Sequence, residues 1–149
     1  MTHASTSNSR FSIRDQVAII TGASRGIGRT TAEQFAQAGA DVVICSRERE
    51  HIKPVATAIN RSNRPGDAIA VVCDVRNRES VDAVVETAQE EFGDIDILVN
   101  NAGGMFQSPF EDLSTSGWRA LIRTNLDGVF HSTQAAAPAL FDGGGAVIN

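Results

Sequence analysis

The sequence predicts an α/β protein with a doubly wound parallel sheet in three layers. Short apolar runs rich in β-branched residues alternate with amphipathic stretches of helical length. The first apolar run passes through a glycine-rich turn directly into a helical stretch, as in proteins whose parallel strands are joined by helices. Because such crossovers are right-handed, we expect a Rossmann-like sheet of about five strands in the order 3-2-1-4-5, incomplete at its C-terminal end.

Each strand is predicted from an apolar run and each helix from the spacing of its apolar residues. The expected strands cover residues 16–21, 41–45, 68–72, 96–99 and 146–148. The expected helices cover residues 29–38, 48–60, 78–92 and 118–140. Ile27, Phe35 and Ala36 are expected to pack the first helix onto the sheet, and Gly39 to end it. A long loop is expected over residues 100–116.

The chain length fits a single domain. Its 149 residues are enough to bury a core. We expect one partial dinucleotide-binding domain over residues 11–149, preceded by a disordered polar tail over residues 1–10 that is rich in Ser and Thr. The sequence indicates no internal repeat, linker or second domain.

Composition argues against several classes of partner. The formal net charge of −5 is spread along the chain, whereas nucleic-acid binding needs clustered Lys and Arg. No apolar run reaches the roughly 18 residues that span a bilayer, and the tail lacks the apolar segment of a secretory signal, so a cytoplasmic location without a membrane partner is expected. Cys45 and Cys73 lack metal-ligand spacing. We predict no metal site, and two small buried thiols of a reducing compartment rather than a disulfide.

The glycine turn after the first strand is the strongest candidate site. A strand that ends in glycines and opens a helix points free backbone N–H groups and the positive end of the helix dipole at the turn, which favours an anion. Gly22 permits an unusual backbone conformation, while Gly26 and Gly28 remove side chains that would block a pyrophosphate or separate the helix from the strand. The alternative is a tight turn without a ligand. The cofactor-binding candidates in this turn are Gly22, Ser24, Arg25, Gly26, Ile27 and Gly28.

Four motifs together resemble the N-terminal part of the short-chain dehydrogenase/reductase family, over nearly the whole chain after the tail. They are the turn Gly22-x3-Gly26-x-Gly28 after Thr21, the pair Asp74-Val75, the stretch Asn100-Asn101-Ala102-Gly103, and Asn125 in the long helix. The resemblance implies that Asp74 and Val75 bind the adenine and that Asn101, Ala102 and Gly103 border the cofactor. It also implies that Asn125 belongs to the catalytic set, holding a water in a proton relay where the helix is locally distorted.

Each of these residues also has a purely structural interpretation. Asp74 could end a strand by bonding its own backbone. Asn101 could stabilise a loop, and Ala102 and Gly103 could simply form a tight loop. Asn125, which is unfavourable in mid-helix by propensity, could be a polar side chain on a solvated face.

The end of the second strand favours NADP(H) over NAD(H) as the cofactor. Proteins that prefer NAD usually carry an acid there for the ribose 2′-hydroxyl, but this sequence has Ser46 and Arg47. Arg47 and Arg25 could converge on a 2′-phosphate. Glu48 and Glu50 are expected on the following helix and to point away.

The family's remaining catalytic residues have no match in these 149 residues. The resemblance implies a serine after the fifth strand and then a Tyr-x-x-x-Lys pair, but the chain has no tyrosine, and Lys53 is its only lysine. We therefore expect an incomplete sequence that is inactive alone, and a full-length form that is a homo-oligomer.

The function expected from the resemblance is the cofactor-binding portion of an NADP(H)-dependent oxidoreductase that interconverts a carbonyl and an alcohol of a small-molecule substrate. The alternative is a non-catalytic nucleotide-binding or cofactor-sensing module. A flavodoxin-like protein would leave Asn100–Gly103 and Asn125 unexplained. Met105, Phe106 and Phe110 could line an apolar wall or pack as ordinary loop residues, and the sequence does not identify the substrate.

Overall fold

A computed structural model describes residues 12–149, so the predicted disordered tail over residues 1–10 lies outside the described residues. The strands are β1 (Val17–Thr21), β2 (Asp41–Ser46), β3 (Ala68–Val72), β4 (Ile97–Val99) and β5 (Ala146–Ile148). The helices are α1 (Gly26–Ala38), α2 (Arg49–Arg61), α3 (Arg78–Phe92), α4 (Thr115–Ile122) and α5 (Gly128–Gly143). The strands form one five-stranded sheet in the order β3-β2-β1-β4-β5, and every pairing is parallel. The predicted fold class and strand order are confirmed.

The sheet is buried on both faces at its centre. Ile19 of β1 lies opposite Val43 of β2 and Leu98 of β4, and all three side chains are buried. Side chains that alternate along a strand point to opposite faces, so the apolar runs supply two cores. One core packs against α1 and α2 and the other against α3 and α5, which gives the three layers.

Helix α1 begins inside the glycine turn, three residues earlier than predicted. Ile27, which was expected to pack onto the sheet, is 79% exposed, so that expectation was wrong. Ala36 is fully buried and Phe35 packs at the edge of the core, as expected. Gly39 ends the helix with a φ of 97°, a left-handed conformation that favours glycine.

The predicted long helix is divided into three parts. Helix α4 begins at Thr115, where the side chain of Ser114 accepts a hydrogen bond from the N–H of Gly117. A π-helical segment, Arg123–Asp127, separates α4 from α5. A Cβ atom on Gly128 would lie 2.7 Å from Cγ2 of Val75, so the glycine lets α5 approach the segment after β3 closely. This contact holds the distorted segment beside the carboxyl ends of the strands.

Candidate functional site

The carboxyl ends of β1 to β4 meet at a cleft of about 1060 Å³. In doubly wound sheets, ligands bind outside the carboxyl ends of the strands, where the order of the strands reverses. Here β1 is the first strand in sequence and lies between β2 and β4. Twelve of the predicted site residues line this cleft: Gly22, Ser24, Arg25, Gly26, Ile27, Ser46, Arg47, Asp74, Val75, Asn101, Ala102 and Gly103. Gly28 and Asn125 are not among the lining residues.

The N-terminus of α1 faces the cleft without a side-chain acceptor. Arg25 is the N-cap residue, its side chain makes no capping hydrogen bond, and the first turn carries no acidic residue. By contrast, Asn77 caps α3 and Ser114 caps α4. Since the first N–H groups of a helix have no partner within the helix, the amides at the start of α1 can bind an anion.

The glycines of the turn permit close packing against the loop after β4. A Cβ atom on Gly22 would lie 2.7 Å from Cα of Ala102, and one on Gly28 would overlap Nδ2 of Asn101. That Nδ2 donates to the carbonyl oxygens of Thr21, at 2.8 Å, and Gly22, at 3.1 Å. Gly28 therefore acts behind the cleft wall by leaving room for the Asn101 amide, and Asn101 ties its loop to the turn.

Thr21 is a structural residue of the site whose role we did not predict from the sequence. Its side chain is buried, and Oγ1 accepts from the N–H groups of Asn101, at 3.1 Å, and Ala102, at 2.9 Å. The same hydroxyl donates to the carbonyl of Val99 at 3.3 Å. The sequence signal that could have indicated this role is a threonine at the end of an otherwise apolar strand, because a buried hydroxyl there needs hydrogen-bond partners.

Replacing Thr21 with valine should lower the free energy of unfolding by about 2 kcal/mol, because two backbone N–H groups lose their acceptor. The measurement is urea denaturation followed by circular dichroism. Thr21→Ser is the matched control: it keeps the hydroxyl and should stay within about 1 kcal/mol of the unaltered protein. A valine variant as stable as the unaltered chain would contradict this role.

Asp74 is bound by its own neighbour while it lines the cleft. Its carboxylate accepts from the Arg76 guanidinium, with Oδ2 at 2.6 Å from Nη2, and Oδ1 accepts from the backbone N–H of Arg76 at 3.0 Å. The side-chain hydrogen bond from Arg76 lowers the pKa of Asp74, so the carboxylate stays ionised. Asp74 therefore makes the local hydrogen bonds that its purely structural interpretation requires. Because Asp74 also lines the cleft, its role in binding a nucleotide stays a prediction.

Two arginines in the cleft make no ion pair with any residue of the described range 12–149. They are Arg25 in the glycine turn and Arg47 after β2. Glu48 and Glu50, which were expected to point away, are both among the residues that line the cleft, and Glu50 also lines the groove along α2. Glu48 is the extended N-cap residue of α2, not a helical residue, and its carboxylate pairs with Nδ1 of His51 at 2.9 Å. One acid near Arg47 is thus already engaged.

Asn125 lies in the π-helical segment, so the local distortion of the helix is present. Its Oδ1 accepts from the N–H of Gly104 at 3.1 Å, and its Nδ2 donates to the carbonyls of Gly104 and Leu121, both at 2.9 Å. Both amide hydrogens of the side chain are used. Asn125 therefore fastens the loop after β4 to the distorted helix, and the residue itself is exposed.

Residues after Gly104 form an open surface. Met105 is 80% exposed and Phe110 is 87% exposed, so neither packs as an ordinary loop residue. His131 instead lies against the interior, with Nδ1 at 2.9 Å from the carbonyl oxygen of Val75.

The second large concavity does not resemble a site. It runs along one face of α2, from Arg49 to Arg61, and no other element of residues 12–149 contributes a lining residue. Over residues 12–149, the structure contains no group of three or more His, Cys, Asp or Glu side chains that could hold a metal ion. No helix in the same range is long and apolar enough to cross a membrane.

Comparison with protein families gives one match over most of the chain. Residues 16–149 match the short chain dehydrogenase family model. An uncharacterized oxidoreductase of Staphylococcus aureus (strain USA300) is 36% identical over 131 residues, which cover 87% of this chain and 54% of the relative. One from Staphylococcus saprophyticus is 36% identical over 138 residues, covering 92% and 58%. The chain thus spans about half the length of the curated relatives it matches.

Solved structures of other proteins are similar to this chain over most of its length. A crystal structure of an alcohol dehydrogenase from the archaeon Thermococcus sibiricus, complexed with 5-hydroxy-NADP, is 32% identical with a TM-score of 0.84. The match covers 89% of this chain and 56% of that one. A protein of Sinorhizobium meliloti 1021, assigned to the short-chain alcohol dehydrogenases, is 38% identical with a TM-score of 0.83, covering 90% and 53%.

Proposed function

Since the chain belongs to the short-chain dehydrogenase family, we propose that it is the cofactor-binding portion of an NADP(H)-dependent oxidoreductase that interconverts a carbonyl and an alcohol. The observation that carries the proposal is the N-terminus of α1, which has no capping acceptor and faces the cleft beside two arginines that make no ion pair within the described residues. Enzymes of this family use NAD or NADP. For this chain we propose NADP and a small carbonyl or alcohol substrate.

The residues of the cleft fit a dinucleotide along its length. A Cβ atom on Gly26 would meet no atom of residues 12–149 within 4 Å, so the space beside this glycine is open at the start of α1, where a pyrophosphate would bind. Ser24 and Ile27 flank that position. Asp74 and Val75 would hold the adenine, and the segment from Asn101 to Gly103 would border the ribose nearer the nicotinamide. When bound, the nicotinamide ring supplies or accepts the hydride.

The charges at the end of β2 support NADP(H). Arg25 and Arg47 line the cleft from two different segments, and a guanidinium pair suits the two-oxygen geometry of a phosphate. Glu48 supports the alternative, NAD(H), because a carboxylate near the ribose could accept a hydrogen bond from the 2′-hydroxyl. Its pairing with His51, and the two arginines that form no ion pair in the part of the chain that the structure describes, favour NADP(H).

Binding can be tested by thermal unfolding of the unaltered chain. At a concentration 100 times its dissociation constant, NADP⁺ should stabilise the protein by about 2.7 kcal/mol, a rise of about 5–10 °C in Tm. Adenosine, which lacks phosphate, is the control ligand and should shift Tm far less. If neither NADP⁺ nor NAD⁺ at millimolar concentration shifts Tm, the proposal is wrong.

The 149-residue chain should not catalyse the reaction by itself. It contains no tyrosine, the residue that supplies the proton in this family, and Lys53 lies on α2. Purified chain mixed with NADPH and a panel of aldehydes and ketones should therefore show no loss of NADPH absorbance above the protein-free rate. Turnover at about 1 s⁻¹ or faster, an ordinary enzyme rate, would contradict this expectation.

One competing function is a module that binds the cofactor without chemistry, which the absence of tyrosine supports only if the gene ends at codon 149. Sequencing the gene downstream of codon 149 separates the two. An in-frame continuation containing a serine followed by Tyr-x-x-x-Lys supports the oxidoreductase. A stop codon supports the module.

A further inference from the structure

The two cysteines of the chain, expected from the sequence to be buried thiols rather than a disulfide, are free and buried, and they lie near each other. Cys45 lies near the end of β2, and Cys73 directly follows β3. The N–H of Cys73 donates to the carbonyl of Ser46 at 2.8 Å, which continues the pairing of the two strands. The two residues are 1% and 3% exposed and belong to the same buried cluster. No other cysteine is present in the 149 residues to compete for either sulfur.

This thiol pair lies between the segments that form the candidate cofactor site. The backbone N–H of Ala23, in the glycine turn, donates to the carbonyl of Cys45 at 3.1 Å. On the other side, Asp74, which directly follows Cys73, donates its backbone N–H to the hydroxyl of Ser80 at 3.1 Å. A change in the pair therefore acts on the turn, on the end of β2 and on Asp74 together.

The surroundings of Cys73 suit reaction with a small oxidant. Cys73 lines the wide cleft, and both sulfurs also border a small apolar cavity between the sheet and α3. The hydrogen bond from Cys45, and then that from Ser80, lowers the pKa of Cys73, while burial and Asp74 act in the opposite direction. The attacking form of a cysteine is the thiolate, so Cys73 is the better nucleophile of the two.

We propose that Cys45 and Cys73 form a redox modification site that a peroxide converts into an intramolecular disulfide. The sulfur of Cys73 attacks one peroxide oxygen, the O–O bond breaks, and water leaves as the sulfur becomes a sulfenic acid. The sulfur of Cys45 then attacks that sulfur, the S–S bond forms, and a second water leaves with the thiol proton of Cys45. In sum, two thiols lose two electrons and two protons, and one hydrogen peroxide is reduced to two waters.

Disulfide formation should weaken cofactor binding, an effect that rests on the proposed function. The S–S bond of about 2.05 Å is much shorter than the contact between two thiols, so the ends of β2 and β3 must move together. Ser46 and Arg47 follow one cysteine and Asp74 follows the other. We expect dinucleotide affinity to fall about tenfold on oxidation, within the usual range of coupling between sites.

The test is titration of the reduced, unaltered chain with hydrogen peroxide, followed by intact mass spectrometry and by tryptic digestion without reductant. The expected product is a monomer lighter by about 2 Da that yields residues 30–47 linked to residues 62–76. Both thiols should return with dithiothreitol. Covalent dimers, separate oxygen additions on each cysteine, or two intact thiols after excess peroxide would each overturn the proposal.

Two variants and a binding measurement extend the test. Cys45→Ala and Cys73→Ala should each abolish the 2 Da loss, whereas a loss that persists in either variant would overturn the assignment. Only the binding arm uses a dinucleotide: NADP⁺ titrations of the reduced and oxidised chain should differ about tenfold. If the reduced chain binds no dinucleotide, the proposed function fails while the mass measurement still decides the disulfide.

Discussion

Gly28→Ala is expected to destabilise the protein by about 2 kcal/mol and to remove most of its dinucleotide affinity. The new Cβ atom would overlap Nδ2 of Asn101 and lie 2.9 Å from the carbonyl oxygen of Gly22 and 3.0 Å from Cα of Ala23. The last two atoms belong to the backbone and cannot rotate away. The turn and the Asn101 loop must therefore separate, and the cleft loses the wall they form together.

The measurements for Gly28→Ala are urea denaturation and titration with NADP⁺. Gly104→Ala is the matched control for stability, because a Cβ atom there would meet no atom within 4 Å. The control should stay within about 0.5 kcal/mol of the unaltered protein. A Gly28→Ala variant that is equally stable and binds NADP⁺ normally would show that close packing at the turn is not required.

Arg47→Ala is expected to weaken NADP⁺ binding about 30-fold and to change NAD⁺ binding less than about twofold. The reason is that a hydrogen bond between charged partners contributes about 2 kcal/mol, and only NADP⁺ carries the 2′-phosphate. Arg47 lines the cleft and makes no ion pair within residues 12–149 that would have to break first.

Arg49→Ala is the control for charge. It removes the same charge two residues further along, from the outer face of α2, and Arg49 does not line the cleft. Calorimetric titrations with both cofactors should leave Arg49→Ala close to the unaltered chain. Equal weakening by the two substitutions would mean that Arg47 acts only through the general field of the protein.

The strands could be predicted from the sequence because each apolar run is short and bounded by glycine or polar residues. Residues 68–72 and 146–148 were predicted with the bounds found in β3 and β5, and the other strands differ by one residue at one end. The parallel order followed from the alternation with helices. Registers such as Ile19 opposite Val43 could not be predicted, because they depend on how two faces pack at once.

Helix starts were harder to predict because several residues can serve as caps. Ser114, Thr115 and Ser116 all carry hydroxyls, and only the structure shows that Ser114 caps α4. The π-helical segment contains an extra residue in the hydrogen-bond ladder of the helix. The spacing of apolar residues along the sequence does not indicate such an insertion. Ile27 is exposed because α1 begins at Gly26 and turns that side chain away from the sheet.

The residues that line the candidate site could be predicted more easily than the contacts that they make with one another. The motif residues converge because they follow the carboxyl ends of neighbouring strands. The hydrogen bonds of Thr21, the pairing of Glu48 with His51 and the shared cluster of Cys45 and Cys73 depend on side-chain directions at those ends. None of these leaves a periodic pattern in the sequence.

The most direct test of the cofactor site is the ratio of the dissociation constants of NAD⁺ and NADP⁺ for the unaltered chain, measured by calorimetry at one ionic strength. Two arginines able to meet a 2′-phosphate predict that NADP⁺ binds at least about tenfold tighter than NAD⁺, and that added salt reduces the difference. Equal affinities, or tighter binding of NAD⁺, would contradict the assignment of Arg25 and Arg47 and would favour Glu48 as the residue that selects the cofactor.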